Sequence, residues 1–160
     1  MAEKIAVFPG SFDPITLGHH ALILRALSIF DKIVVGIGIN TEKKYLFSVE
    51  TRTKWIAETF KDFPQISVEA YYGLTVDFCR KVGASFIIRG LRTSADFEFE
   101  RIIGQVNKKL APEIESFYLL AAPEYASLNS SIVRDIVING GDASMFVPEN
   151  VKITPNILIE

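Results

Sequence analysis

Short apolar runs recur along the chain and alternate with longer segments that mix apolar and polar residues. Five of these runs are rich in valine, isoleucine and aromatic residues and have the length of β-strands: 4–8, 32–39, 66–71, 86–88 and 116–120. Because neighbouring positions within a run are apolar, we expect both faces of each predicted strand to be covered. Such strands are typical of a parallel sheet.

The segments between the runs have the period of amphipathic helices. The first places five apolar side chains on one face, Leu22, Ile23, Ala26, Leu27 and Phe30. Later helices are predicted over 48–60, where Ser48 can cap, and over 75–82, 94–110 and 130–139. This alternation predicts an α/β fold, a Rossmann-like doubly wound parallel five-stranded sheet with helices on both faces.

Length and composition indicate a single domain over residues 1–160. Of the 160 residues, 49% are hydrophobic, and the formal net charge is -2 at pH 7. The apolar fraction excludes a disordered chain, which needs low hydrophobicity and high net charge. The slightly acidic balance argues against nucleic acid as a partner, but small phosphorylated ligands need only a few well-placed cations.

The sequence also predicts a cytoplasmic location. Its single cysteine, Cys79, cannot form an internal disulfide, which favours a reducing compartment. Residues 1–4 run directly into the first apolar segment, without the layout of a signal peptide. No apolar run reaches the roughly 18 residues typical of a membrane helix, so no membrane contact is expected.

In doubly wound sheets, ligands bind beyond the carboxyl ends of the strands, so the residues there are the first candidates for function. Residues 9–19, PGSFDPITLGH, follow the first strand and place His19 in the first turn of a helix. A phosphate contact is favourable there, although a lone histidine more often caps or packs a helix. His20 points about 100° away from His19, so the two cannot share a metal, and no metal-binding side chain is predicted.

Three further strand ends carry groups suited to phosphate. Lys43 follows the second strand, Arg89 and Arg92 follow the fourth, and the hydroxyl-rich segment 125–131 follows the fifth and enters a helix. Each has an ordinary alternative: a solvated lysine, an arginine in a salt bridge, or a serine that caps the helix. With Arg134 nearby, these residues would concentrate cations at one edge of the sheet.

Together these segments resemble the bacterial phosphopantetheine adenylyltransferases of the T/H-x-G-H nucleotidyltransferase superfamily. The matching stretches are PGSFDPITLGH at 9–19, NTEKK at 40–44, GLTVDF at 73–78, IIRGLRTSADFEFE at 87–100 and SSIVRD at 130–135. The resemblance implies adenylyl transfer from ATP to 4′-phosphopantetheine, which gives dephospho-coenzyme A and pyrophosphate. It also implies Mg²⁺ bound through the ATP phosphates, a homohexamer and feedback inhibition by coenzyme A.

The resemblance further implies roles for individual residues. His19 would stabilise the transition state at the α-phosphate, with Ser11 and Lys43 as the other catalytic groups. The phosphopantetheine site would comprise Ser11, Lys43, Thr75 and Arg89. The ATP site would comprise Ser11, Phe12, His19, Gly90, Leu91, Arg92, Glu100, Tyr125, Ala126, Ser127, Leu128, Asn129, Ser130 and Ser131. Because the attacking phosphate is already ionised, no general base is needed, and fixed donors supply the catalysis.

Three positions depart from the family's pattern, and three other functions compete with the implied one. Ala21 stands where aspartate is common, Phe99 where tyrosine is frequent, and Asn129 interrupts the usual serines. A sister nucleotidyltransferase would act on nicotinate mononucleotide or glycerol phosphate, but usually has histidine at the position of Thr16. A non-catalytic nucleotide sensor would have no reason to retain both His19 and a lysine at position 43. The third, a purely structural oligomer, would leave the phosphate-suited strand ends unexplained.

Overall fold

The computed structural model describes residues 3–154, and within them five parallel strands form one sheet. The strands are β1 (Ile5–Gly10), β2 (Lys32–Ile39), β3 (Ile66–Tyr72), β4 (Phe86–Leu91) and β5 (Glu115–Leu120). Their order is β3-β2-β1-β4-β5, and every neighbouring pair is parallel. The direction of strand order therefore reverses between β1 and β4, which is where doubly wound sheets bind their ligands.

Helices lie between the strands along the chain. They are α1 (Leu17–Ala26), α2 (Val49–Thr59), α3 (Thr75–Val82), α4 (Ser94–Leu110) and α5 (Ser130–Ile138), with 3₁₀ turns at Pro123–Tyr125 and Ser144–Phe146. Ser48 caps α2 as predicted, because its side chain accepts a hydrogen bond from the Thr51 N–H. Among residues 3–154, none of these helices has both the length and the apolar character that crossing a bilayer requires.

Alternate residues of the central strand enter two separate hydrophobic clusters. Ala6 and Phe8 of β1 belong to the larger cluster, which α1, α2 and α5 cover. Val7 belongs to the smaller cluster on the other face, together with Val76 and Cys79 of α3. Burial of β1 on both faces explains its unbroken apolar sequence. The doubly wound α/β fold with helices on both faces is thus confirmed.

Three strands extend beyond their predicted carboxyl ends, β3 by the single residue Tyr72 and β1 and β4 by more. β1 continues through Pro9 to Gly10, and β4 continues to Leu91, although turn-forming residues had suggested earlier ends. Proline is tolerated because β1 and β4 pair only at Ala6 and Val7, so Pro9 needs no donor toward β4. Residues 1–2 and 155–160 lie outside the described part of the chain, so a single domain over 1–160 stays a prediction.

Cys79 lies on the buried side of α3. Its residue is fully buried, and desolvation raises the pKa of the thiol to about 12. The thiol therefore stays protonated at neutral pH. Trp55 and Phe60 are also buried, as the sequence predicts, while Phe63 packs against the same core and is partly exposed.

Candidate functional site

A crevice opens at the carboxyl ends of β1 and β4. The two strands are paired at Ala6 and Val7 and then separate, so that their last residues face each other across a gap. The Arg89 side chain spans this gap and donates a hydrogen bond from Nη1 to the Pro9 carbonyl, at 2.7 Å. The strand separation thereby creates the space, and Arg89 fixes its width.

The first cavity lies above this crevice and has a volume of about 290 Å³. Parallel strands bring their carboxyl ends to one edge, so residues distant in the sequence meet here. The sequence-predicted residues that line it are Ser11, Phe12, His19, Lys43, Arg89, Gly90, Arg92, Glu100, Tyr125, Leu128, Asn129, Ser130 and Ser131. Three residues predicted for ATP do not line it: Leu91 is buried in the sheet, and Ala126 and Ser127 are exposed to solvent.

A second cavity of about 340 Å³ lies beside the first. Thr75 lines it, as do Tyr71 of β3 and five residues of α4, which include Phe99, Ile103 and Asn107. The wall between the two cavities is common to both and consists of Pro9, Gly10, Ser11, Arg89 and Glu100. Ligands in the two cavities can therefore both contact this wall.

The first cavity is electropositive despite the acidic composition of the chain. Two carboxylates line it, and so do four cationic side chains, those of Lys43, Arg89, Arg92 and Arg134. First-turn residues of α1 and α5 also line it. Helix N-termini present free amides and a partial positive charge, so the cavity suits a polyanion such as a triphosphate.

The imidazole of His19 is held in one orientation by the start of α1. The backbone N–H of Thr16 donates to Nδ1 of His19 at 3.1 Å, and the His19 N–H donates to Oγ1 of Thr16 at 3.3 Å. This is a capping box in which histidine occupies the usual place of glutamate. Because Nδ1 accepts a hydrogen bond, the proton of the neutral ring is on Nε2.

His19 is neutral at physiological pH. Its pKa is lowered to about 4, first by burial and then by the positive charges of Arg92 and Arg89. A neutral imidazole with its proton on Nε2 is a hydrogen-bond donor without charge. His19 can therefore donate to a phosphate oxygen, while the neighbouring arginines and Lys43 carry the positive charge.

The depressed pKa of His19 predicts a loss of stability at low pH. Between pH 6.5 and pH 4, His19 is protonated in the unfolded chain and largely neutral in the folded one. The free energy of unfolding therefore falls as the pH falls. Relative to a His19→Gln variant, we expect wild type to lose about 3 kcal/mol between pH 7 and pH 4. Urea denaturation at a series of pH values measures this difference. Parallel curves for the two proteins would contradict it.

The turn before His19 is strained at Phe12. Phe12 has a φ of 47°, in the left-handed region that bulky residues rarely adopt. Its ring is buried and packs edge-on against the His19 ring, with centroids 5.1 Å apart. The Phe12 ring therefore packs against the His19 ring and helps to hold it in place.

Lys43 reaches the site from the loop after β2. Its Nζ donates to Oγ of Ser11 at 3.1 Å, so these two predicted residues lie in contact in the first cavity, and Ser11 also lines the second. Lys43 itself is exposed, and solvation was its ordinary alternative. The contact with Ser11 directs the ammonium group toward the crevice.

Both arginines of the RGLR segment line the first cavity, and both also form salt bridges. Arg89 makes a two-pronged contact with Glu100, at 2.8 Å and 2.5 Å, and Arg92 pairs with Asp96 at 3.2 Å. The alternative considered from the sequence, a salt-bridge role, thus applies to each of them. Glu100, which was predicted to bind ATP, forms an ion pair with Arg89. The guanidinium N–H groups of Arg89 that make none of these hydrogen bonds can donate to a phosphate.

The start of α5 differs from the sequence interpretation. The expected capping serine is wrong, because Asn129 is the N-cap and its Oδ1 accepts from the Ile132 N–H at 3.0 Å. Ser130 donates to the Pro14 carbonyl, and Ser131 accepts from Arg134 at 3.0 Å. Asn129 occupies the cap because an amide oxygen is as effective there as a hydroxyl.

Among the residues that line the first cavity and to which sequence reasoning assigned no role are Thr16 and Asp96. Both belong to capping boxes, Thr16 with His19 and Thr93 with Asp96. The signal was present as the spacing T-x-x-H and T-x-x-D, which differs from the usual S/T-x-x-E/Q pattern only in its last residue.

Comparisons with known proteins agree on one group of enzymes. The sequence model of a family described as cytidylyltransferase-like matches residues 7–136. A phosphopantetheine adenylyltransferase of Flavobacterium psychrophilum is 55% identical over 148 residues, which are 92% of this chain and 97% of the relative. Another of Lachnoclostridium phytofermentans is 49% identical over 148 residues, which are 92% of this chain and 91% of the relative.

A solved structure shares the fold. It is a crystal structure from Vibrio parahaemolyticus, provisionally assigned as a nicotinate-nucleotide adenylyltransferase, with a TM-score of 0.66. The match covers 94% of this chain and 97% of that chain at 21% sequence identity. At this identity the likeness extends to the α/β fold and not to the choice of substrate.

Proposed function

Because the chain belongs to the cytidylyltransferase-like family, and within it to the phosphopantetheine adenylyltransferases, we propose that it transfers the adenylyl group of ATP to 4′-phosphopantetheine. The products are dephospho-coenzyme A and pyrophosphate. The structural observation that supports this reaction is the wall shared by the two cavities, at Pro9, Gly10, Ser11, Arg89 and Glu100. It would let a phosphate held in one cavity meet a phosphate held in the other.

We assign ATP to the first cavity and 4′-phosphopantetheine to the second. The first offers four cations and two helix N-termini, which suit a triphosphate. The second combines apolar side chains, such as Ile103, with the amide of Asn107 and the hydroxyl of Thr75. That mixture suits an extended arm which alternates methylene and amide groups.

The reaction would proceed by one in-line displacement. A phosphate oxygen of 4′-phosphopantetheine attacks the α-phosphorus of ATP, the new P–O bond forms, and the bond to the β-phosphate oxygen breaks as pyrophosphate leaves. Negative charge grows on the α-phosphate oxygens, where Nε2–H of His19 and the cation of Lys43 would stabilise it. Ser11 would hold the reacting phosphates and Arg89 the acceptor phosphate.

Mg²⁺ would enter with ATP. Among residues 3–154, no group of three His, Cys, Asp or Glu side chains is arranged to hold a metal ion. The carboxylates that line the first cavity, Asp96 and Glu100, are ion-paired with arginines. These residues fit a cation that keeps its waters and binds through substrate phosphates, as Mg²⁺ does. When bound, it would neutralise charge on the departing pyrophosphate.

The proposed reaction is tested by pyrophosphate release from ATP with four separate acceptors. We expect turnover with 4′-phosphopantetheine and none with pantetheine, its matched control without the phosphate. Turnover only with nicotinate mononucleotide or glycerol phosphate would assign the chain to a sister activity. ATP binding with no turnover on any acceptor would indicate a nucleotide sensor. Coenzyme A carries both a nucleotide and a pantetheine arm, so it should inhibit in the same assay.

We also propose that the chain forms a homohexamer in the cytoplasm, with α4 as a contact surface. α4 has 17 residues, but Glu100 is its one buried residue. Phe99, Ile102, Val106 and Leu110 recur at helical spacing and are about half exposed or more. A contiguous apolar stripe of this kind indicates a protein–protein contact. Its position beside the second cavity would connect assembly with substrate binding.

A charge in the α4 stripe is expected to disrupt the assembly. We expect wild type to sediment as six chains and Val106→Glu as a smaller species, because burying a carboxylate at an apolar contact is unfavourable. Analytical ultracentrifugation measures the mass. Met145→Glu is the matched control, since Met145 is 73% exposed and lies outside α4. A Val106→Glu protein with the wild-type mass would exclude this surface.

A further inference from the structure

Arg52 of α2 is a buried arginine that contacts the loops on both sides of the candidate site. It lines neither cavity and is 2% exposed. Its Nε donates to the carbonyls of Phe47 and Ser48, at 3.0 Å and 3.3 Å, and its Nη1 donates to the carbonyl of Ser11 at 2.7 Å. The loop after β1 is thereby joined to the loop that follows β2.

The same guanidinium supports the loop that carries Lys43. It stacks on the Tyr45 ring at 4.2 Å from the centroid, and Nζ of Lys43 lies 5.7 Å from the same centroid. Lys43 also donates to Oγ of Ser11. The ammonium group of Lys43 therefore rests on two residues, Ser11 and Tyr45, and Arg52 contacts both.

Burial makes this arginine costly, and no ion pair offsets the cost within residues 3–154. No carboxylate in that range lies within 4.0 Å of its guanidinium nitrogens. Desolvation lowers the pKa of Arg52, and the negative charge of Asp13 opposes that shift. An apolar side chain of similar length would avoid the desolvation. Stability alone therefore does not account for an arginine at this position.

We propose that Arg52 is a positioning residue, which holds Ser11 and Lys43 in register so that the ammonium group of Lys43 faces the first cavity, beside the wall that the two cavities share. This inference rests on the proposed adenylyl transfer, in which Lys43 stabilises the transition state. Arg52 acts through two other residues and does not touch the substrates. Its planar fork matters because the Nε and Nη1 donors reach different loops.

Arg52→Met tests the proposal, since methionine fills a similar volume without donors. We expect kcat to fall by about 10- to 100-fold, as displaced catalytic groups typically cause, while KM for ATP stays close to wild type. The melting temperature should fall by only a few degrees, because the carbonyls lose a donor but the buried charge is also removed. Arg25→Met is the matched control, because the Arg25 side chain is exposed and also donates to a backbone carbonyl, that of Leu120. Wild-type kinetics in folded Arg52→Met would overturn the proposal.

A double-mutant cycle identifies the route of the effect. In a Lys43→Ala background, Arg52→Met should cause little further loss, because the group that it positions is absent. Two losses that multiply would overturn the proposal. A readout without substrates is the reactivity of Lys43 toward an amine-specific label, measured by peptide mass spectrometry. It should change in Arg52→Met and not in Arg25→Met, so it tests the positioning even if 4′-phosphopantetheine is not the acceptor.

Arg52→Lys keeps the test decisive if the methionine variant does not fold. Lysine retains the charge but cannot reach the Ser11 and Phe47 carbonyls from two fixed donors. We expect a folded protein with the same loss in kcat. Full activity in Arg52→Lys would show that the charge suffices and that bridging the two loops is not the function of Arg52.

Discussion

His19→Ala is expected to lower kcat by a factor of about 10²–10³, with a much smaller change in KM for ATP. The variant removes the Nε2–H donor, while Lys43 and the arginines that attract the triphosphate remain. An interaction that strengthens only as charge grows on the α-phosphate contributes to the transition state and little to the ground state. Steady-state pyrophosphate release with 4′-phosphopantetheine separates the two constants.

Two further variants define what His19 supplies. His20→Ala should keep wild-type kinetics, because the His20 ring stacks on Phe60, with centroids 5.4 Å apart, and does not line either cavity. His19→Gln should retain more activity than His19→Ala, since a glutamine amide offers an uncharged donor. Unchanged kcat with weaker ATP binding in His19→Ala would make His19 a ground-state contact only.

Asp13→Ala is expected to cost about 3 kcal/mol of stability and to lower the melting temperature by roughly 10 °C. The Asp13 carboxylate is 1% exposed and accepts the backbone N–H groups of Leu46 and Phe47, both at 2.9 Å. Alanine would leave both buried donors without a partner. It would also remove a negative charge that favours the charged form of Arg52, so the loop that carries Lys43 should loosen.

We attribute the expected loss of stability to the two carboxylate oxygens that accept these hydrogen bonds, and not to the replacement of an aspartate as such. Asp13→Asn keeps one carbonyl oxygen and should lose less stability than Asp13→Ala. Asp62→Ala, at an exposed aspartate, should stay within about 0.5 kcal/mol of wild type. Differential scanning calorimetry compares the three variants. A melting temperature for Asp13→Ala within two degrees of wild type would refute the role of the buried carboxylate.

The sheet could be predicted because its central strands β1, β2 and β4 bury consecutive residues and therefore carry apolar runs. The ends of the strands could not be predicted, since Pro9 and Gly10 favour turns when they are considered in isolation. In the fold they extend β1 past the point where its pairing with β4 has ended. Residues 89–91 extend β4 in the same way. The local turn propensity of these residues is overridden by strand pairing, which the sequence alone does not show.

The candidate site was predictable where function lies on strand ends, and unpredictable where it depends on buried polar contacts. His19, Lys43 and Arg89 meet because parallel strands bring their ends to one edge. Sequence reasoning assigns no role to Arg52, or to Asp13 within residues 9–19, because a charged residue is expected at the surface until its partners are known. Their partners are backbone groups of distant loops, at separations of 41 and 33–34 residues.

The buried thiol of Cys79 has a practical consequence for experiments on this chain. It is the single cysteine, and a protonated thiol without solvent access reacts slowly with maleimides and oxidants. A cysteine placed at an exposed site such as Ser127, next to the first cavity, would therefore be the sole reactive position in the native protein. One dye could then be attached there without first removing Cys79, and its signal would follow nucleotide entry.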